Sequence, residues 1–343
     1  MELFRFDPPD LTDADVRRIA DELYGIAGET LRLRGERSHN TRFTTPDGNQ
    51  YVLRVASANE PDEAIDCHAQ AIVHLERRAP HLPVARMLSA HDGRLVPTTE
   101  YRGQRHRVRL ETYLPGVTFD DDQQVSHTGM RRIGEMLGGV AAALADFQHP
   151  AARGFMPWDI ANGKVLDPEL TAALPPDARE LVDRARPRLL RASEAMATLP
   201  RQIIHNDGHA GNLLRADPSS DLITGLIDFG DLVHTVTVAD IAVCGANLVP
   251  HQADPTGALG ALTAGYAAGL APRRTLVDDE LGAVADLVLC RLVLSTLLVE
   301  YQIAHAPHIA DAVAAERPGL LANLARWLDV DPADATDRIR EMS

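Results

Sequence analysis

The sequence predicts an α+β protein of two lobes: a small antiparallel sheet with one main helix over residues 1–113, then a mainly helical lobe over 114–343. Three observations carry this expectation. Short runs of strand type crowd the first hundred residues. From Pro115 onward, apolar residues recur at helical spacing instead. The strand-like pieces left in the second half, at 202–204, 213–214 and 226–227, are short and bracket polar loops.

The elements follow in order. Thr12 and Asp15 form a variant capping box, and Val16, Ile19, Ala20 and Leu23 recur at helical spacing, which predicts a first helix over 12–25. Residues 30–34 and 42–45 read as strands around a polar loop, 46–49 as a turn, and 51–56 as a third strand. Pro61 opens a helix carrying Ile65, Ala69, Ile72 and Leu75. Strands at 86–90, 94–98 and 106–113 complete the sheet, and a hinge follows at 112–115. Helices are then expected over 126–148, 176–198, 238–249, 257–269, 279–304 and 318–328. Asp286 and Arg291 interrupt the apolar run 281–299, so it reads as a buried helix rather than a membrane span.

The segment 203–231 carries the chemistry. It reads Ile-Ile-His-Asn-Asp-Gly-His-Ala-Gly-Asn-Leu-Leu, a turn-rich connection, then Gly-Leu-Ile-Asp-Phe-Gly-Asp. A strand ending at Ile204 delivers Asp207 at its edge. A hairpin of 213–214 against 226–227 then brings Asn212 and Asp228 to one end of a small ribbon. Phosphoryl transfer asks little covalent chemistry of a protein. It needs a carboxylate to accept the hydroxyl proton and hard oxygen ligands to hold Mg2+ against phosphates. Asp207 fits the first role, and Asn212 with Asp228 fits the second. His205 is expected to brace the loop. His209 is either a substrate contact or an exposed side chain. Asp231 and Asp240 are expected in loop and helix N-cap roles.

On these residues the stretch 204–231 resembles the aminoglycoside phosphotransferase superfamily, which has the protein-kinase-like fold, and is closest to its hydroxylysine kinase-like branch. Segments 108–116, 144–151 with Trp158-Asp159, and 227–232 with Asp240-Ile241-Ala242 carry the same likeness, which runs over about residues 28–305. The resemblance implies that Asp207 is the catalytic base and that Asn212 and Asp228 hold Mg2+. It implies that the base of ATP or GTP pairs with backbone near Glu111 and Tyr113. It also implies a phosphate-covering loop at 35–40, with Ser38 and nearby amides as donors. Two departures stand out. Arg54 occupies the place of the phosphate-gripping lysine, and the chain's one lysine is Lys164. The helix glutamate that orients this cation is replaced by His68, with Asp66 and Gln70 on the same helix as possible substitutes.

Charge narrows the partners. The net charge of −15 argues against nucleic acid. Residues 1–114 carry 18 acids and 16 bases, whereas residues 115–343 carry 31 acids and 18 bases. Such asymmetry steers a small cationic or zwitterionic substrate, although solubility alone also accounts for it. Asp159, the acids at 278–280 and Glu300 are candidates for binding its amine. Cys67, Cys244 and Cys290 lie far apart without metal-type spacing, which suits free thiols in a reducing cytoplasm. The N-terminus lacks the basic and apolar regions of a secretion signal. The leading expectation is a small-molecule kinase acting on a hydroxylysine-like amino acid or amino alcohol. An aminoglycoside O-phosphotransferase is the alternative within the enzyme class. A pseudokinase that binds nucleotide without turnover is the alternative outside it. A protein kinase is disfavoured, because nothing after Asp228 resembles an activation loop ending in Ala-Pro-Glu.

Overall fold

The structure, a computed structural model, describes residues 6–119, 124–306 and 309–342. The chain forms two compact units: Met1–Pro115 with His149–Ala151, and Gly116–Gln148 with Ala152–Ser343.

The first unit opens with α1 (Asp13–Tyr24). Thr12 caps it: its hydroxyl accepts the Asp15 amide while the Asp15 carboxylate accepts the Thr12 amide. Then follow β1 (Glu29–Leu33), β2 (Ser38–Thr44), β3 (Gln50–Ala56), α2 (Asp62–Arg78), β4 (Met87–Leu88), β5 (Thr98–Tyr101) and β6 (Gln104–Thr112). All pairings are antiparallel, in the order β1-β2-β3-β6-β4, with β5 folded back on β6. Period-two alternation decides which face each side chain takes. Leu53, Val55, Val108 and Leu110 bury one face against Val16, Ile19 and Ala20 of α1. Ala56 packs on the other face against Ile65 and Ala69 of α2. Arg54, Arg109 and Glu111 share that second face, by their register across β3 and β6.

Three expectations are corrected here. The strand expected at 94–98 falls at 98–101. Arg102 (φ 50°) and Gly103 (φ 77°) make a tight turn of left-handed residues, which folds β5 onto β6. The loop expected at 35–40 is shorter, because β2 already begins at Ser38 and pairs with β3 from Ser38↔Ala56 onward. The helix expected at 318–328 begins at Ala310, with Pro318 accommodated inside it.

The second unit contains β7 (Val117–Thr118), α3 (His127–Leu144), the short α4 (Pro168–Ala172), α5 (Pro176–Met196), β8 (Arg201–Ile204), β9 (Leu213–Arg215), β10 (Ile223–Leu226), β11 (Val233–Val236), α6 (Ala239–Leu248), α7 (Pro255–Leu270), α8 (Asp278–His305), α9 (Ala310–Leu328) and α10 (Pro332–Met342). Sequence reasoning missed the very short β7 and α4, and it missed β11 and α10. β11 is four residues long and squeezed between a turn and a helix. α10 is mostly polar and buries only a narrow stripe of Ala335, Thr336 and Ile339. Glycines let α3 and α7 touch backbone to backbone: Gly134 and Gly138 face Leu262 and Tyr266, while Gly265 and Gly269 face Arg131 and Glu135. α8 is long and apolar enough to cross a membrane by length and composition, but 89% of its most apolar stretch is buried inside the protein. The three free cysteines are also buried.

Candidate active site

In the helical unit, β8 pairs antiparallel with β11 and ends at Ile204 opposite Val233. The chain then turns through Asn206, which sits at φ 64°. Two buried groups hold this turn. Asp240, at the start of α6, accepts the Asn206 amide at 2.8 Å. His205 accepts the Asp207 amide on Nδ1 at 3.2 Å, so its ring hydrogen lies on Nε2 and is donated to the Ile227 carbonyl at 3.1 Å. The ring also meets Phe229 edge-on, with centroids 4.6 Å apart. His205 thus braces the loop, as expected. Asp240 differs from expectation: Val238 is the N-cap residue of α6, and Asp240 reaches across to the loop instead. Burial pushes its carboxyl up to about 7, against the opposing pull of the Asn206 and His205 amides.

Asp207 and Asn212 meet directly. The Asn212 side-chain amide donates to the Asp207 carboxylate at 2.7 Å and to the Asp207 carbonyl at 2.9 Å. Nδ2 also lies 3.2 Å from Nε2 of His209, and with Nδ2 so engaged Oδ1 is the end of the side chain that remains an acceptor. His209 caps the turn by accepting the Gly211 amide on Nδ1 at 3.0 Å, and its Nε2 lies 3.7 Å from the Asp207 carboxylate. The β9–β10 hairpin pairs Leu213 with Leu226, and the Ile227 amide donates to the Asn212 carbonyl at 2.9 Å. Asp228 follows at once. It is exposed, at φ 63°, and accepts the Gly230 amide at 3.3 Å. The hairpin thus carries an amide oxygen and an exposed carboxylate at one end, hard donors of the kind Mg2+ takes, since it keeps several waters and needs few protein ligands.

Three of the acids proposed for an amine, Asp159, Glu280 and Glu300, are engaged within the fold. Asp159 is buried and accepts from Thr235 of β11 at 2.6 Å and from the Ala161 amide at 3.0 Å. Glu280 is buried in a two-pronged pair with Arg274, and Glu300 pairs with Arg317. Asp278 and Asp279 lie in the first turn of α8. A buried cation went unassigned in the sequence, although its place in an apolar run was visible. Arg291 of α8 donates to the Trp158 carbonyl at 2.6 Å and lies over the Trp158 ring. Burial lowers its pKa, against the fields of Asp207, Asp231 and Asp159.

In the sheet unit, Ser38 is buried and donates to Asn40 at 2.7 Å, while Asn40 donates to the Arg34 carbonyl at 3.0 Å, which braces the turn from within. The Tyr113 amide donates to the Gln50 carbonyl at 2.9 Å, and the ring stacks under Arg42. Arg54 is paired with Glu111: Nε to Oε2 is 3.2 Å. The other Glu111 oxygen lies 3.2 Å from Nε2 of His68 and 4.0 Å from Nε of Arg109. Burial opposes the charge of Glu111, but Arg54, His68 and Arg109 outweigh it and hold the carboxyl well below its usual range. Burial, aided by Arg109, depresses the His68 pKa, so its ring is neutral. The suggested helix substitutes are engaged elsewhere, since Asp66 accepts from Gln70 at 2.6 Å and lies 3.4 Å from His149.

The chain is 24% identical to the hydroxylysine kinase of Danio rerio over 315 residues, which cover 87% of this chain and 86% of that one. Among solved structures, a microcompartment-associated aminopropanol kinase has the same fold, with a TM-score of 0.70 at 20% identity, over 94% of this chain and 99% of that one. An amicoumacin kinase in complex with AMP-PNP and Ca2+ superposes with a TM-score of 0.66 at 17% identity, over 92% and 93% of the two chains. Residues 29–276 match the APH family, described as the phosphotransferase enzyme family, and this chain is one of its members, a phosphotransferase of protein-kinase-like fold.

Proposed function

We propose that the protein transfers the γ-phosphoryl group of ATP or GTP to a hydroxyl of a small amine-bearing molecule, a hydroxylysine-like amino acid or an amino alcohol. The observation that carries this reading is the Asp207–Asn212 pair, in which one side-chain amide holds the carboxylate and keeps its own oxygen as an acceptor. Asp207 accepts the proton of the acceptor hydroxyl as the new O–P bond forms and the bond from the γ-phosphorus to the β-γ bridging oxygen breaks, which releases the nucleoside diphosphate. Asn212 and Asp228 would hold Mg2+, which neutralises charge on the phosphate oxygens when bound. Arg54 grips phosphate from the sheet unit, with Ser38 and the backbone around Glu111 and Tyr113 as further nucleotide contacts. His209, half-exposed beside Asp207, contacts the acceptor.

The acceptor class rests on two supports. The curated relative acts on hydroxylysine and one structural relative on aminopropanol, both amine-bearing alcohols. The surplus of acids beyond residue 114 draws cations by long-range steering. Buried free thiols suit a reducing cytoplasm.

The test is release of ADP or GDP across a panel of hydroxylated amino acids, amino alcohols and aminoglycosides. Turnover is expected with the first two groups, and Asp207→Asn should lower kcat by roughly 10²-fold or more. Absence of turnover with every amine-bearing alcohol, or an Asp207→Asn variant as active as the parent, contradicts the reading.

A further inference from the structure

Arg291 and Asp159 are opposite charges that feel each other without meeting. Each is 8% exposed, which leaves a narrow opening to solvent. Asp159 is one of three carboxylates whose fields act on Arg291, and Asp207, the proposed base, is another. Among the described residues, however, Arg291 makes one hydrogen bond, from Nη1 to the Trp158 carbonyl, and no ion pair. A guanidinium has five N–H donors, so most of them stay unused. Asp159 is incomplete in the same way. Thr235 and the Ala161 amide both donate to Oδ1, and Oδ2 has no hydrogen-bond partner among the described residues.

The anchors hold the two charges apart and keep them beside Asp207. Thr235 ties Asp159 to β11, which pairs with β8, the strand that delivers Asp207. Thr235 stands opposite Gln202, two residues back from Ile204 at the end of β8, or about 7 Å along the ribbon. Arg291 is tied to the main chain one residue before Asp159. Burying a charge without a partner is costly, and direct pairing is the simplest remedy. That remedy is not used here. A molecule that carries both charges would satisfy both groups at once. The head of an α-amino acid does so, with a carboxylate and an ammonium on one carbon. Arginine takes a carboxylate through parallel N–H bonds. An amino alcohol brings the ammonium alone and leaves the guanidinium facing a second cation.

We propose that Arg291 and Asp159 form the subsite for a zwitterionic acceptor head, with the guanidinium on the carboxylate and Oδ2 of Asp159 on the ammonium. The acceptor is then a hydroxylated α-amino acid in preference to an amino alcohol. This inference rests on the phosphotransferase reading above and narrows its acceptor.

Steady-state kinetics of the full chain with Mg2+ and ATP or GTP test it. The acceptors are hydroxylysine, threonine and serine, each beside the amine left when its carboxyl group is removed. In the pair that the parent turns over best, the amino acid should have the higher kcat/KM by roughly ten- to a hundredfold, as for a charged hydrogen-bonded contact, and mostly through KM. Arg291→Met should bring that ratio close to one. Any field of Arg291 on Asp207 acts on both members of a pair and cancels in the ratio. Arg291→Lys should retain part of the preference. Asp159→Asn keeps an acceptor for Thr235 and should raise KM for both members, since both carry the ammonium. Should Arg291→Met fail to fold, the parent's own ratio and that of Arg291→Lys still decide. A parent that uses the amines as well as the amino acids, an Arg291→Met variant with the parent's ratio, or an Asp159→Asn variant with the parent's KM values would overturn the inference and leave the phosphotransferase reading standing. A parent that turns over no amine-bearing alcohol overturns both.

Discussion

The side-chain amide of Asn212 donates to Asp207 at both its carboxylate, 2.7 Å, and its carbonyl, 2.9 Å, with Nε2 of His209 a third neighbour at 3.2 Å. One residue therefore sets the rotamer of the proposed base and the direction of its own oxygen. Removing it should be worse than losing a metal ligand alone. Asn212→Ala is expected to lower kcat by about 10²-fold or more and to raise the Mg2+ concentration needed for half-maximal rate. Asn212→Asp puts a second carboxylate beside Asp207, and like charges raise the pKa of a base. The acid limb of its pH–rate profile should move upward. A profile superimposable on the parent's would show that the pair does not act as described.

Asp240 gives a prediction about stability. Its carboxyl is raised from an ordinary 3.8 to about 7 by burial. Between these values the folded chain holds a proton that the unfolded chain has released. The contribution of the protonated group is therefore fully present below pH 3.8 and is lost as pH rises through about 7. Asp240→Asn keeps an acceptor for the Asn206 amide and removes the titration. Relative to the parent, its melting temperature should gain as pH goes from 4 to 7 and then level off. A constant difference across that range would refute the assignment.

The hairpin at 213–226 could be read from the sequence because two short apolar runs flank a turn-rich connection, and the structure pairs Leu213 with Leu226. Hard oxygen side chains at its ends then point to one chemistry. Contacts made by register are different in kind. Nothing local to Glu111 shows that it will sit opposite Val52 and reach Arg54, since that depends on how β3 and β6 align. Ser38, His39 and Asn40 lack apolar alternation, yet they are strand because β3 pairs with all three and β1 joins at Asn40. Asp240 looked like a cap because it is an acid at a helix start, but its partner lies 34 residues earlier in the chain. Local pattern shows which residues have the right chemistry, and tertiary pairing decides which of them touch.

Gly138 tests the contact of α3 with α7. In an isolated helix, Gly→Ala gains about 1 kcal/mol of propensity. Here a Cβ on Gly138 would run into the Tyr266 carbonyl oxygen, which is backbone and cannot swing aside. Steric overlap should win. Gly138→Ala is expected to destabilise by about 1–3 kcal/mol in urea unfolding. The exposed Gly282, whose Cβ would meet nothing within 4 Å, should gain stability from the same change. Equal signs at the two positions would contradict the packing argument.

Arg291 tests the electrostatics around Asp207. It is a buried cation held on Trp158, in the field of Asp207, Asp231 and Asp159. A positive charge near a carboxylate favours its ionised form, so Arg291 is expected to help the proposed base stay deprotonated. Arg291→Met removes the charge and retains much of the bulk. The acid limb of kcat/KM should then move to higher pH, with the largest loss of rate on the acid side and partial recovery in alkaline buffer. Arg291→Lys keeps the charge but loses the planar stacking on Trp158. It should leave the acid limb in place while lowering the melting temperature. If both variants lose activity equally at every pH, Arg291 serves packing alone and exerts no useful field on Asp207.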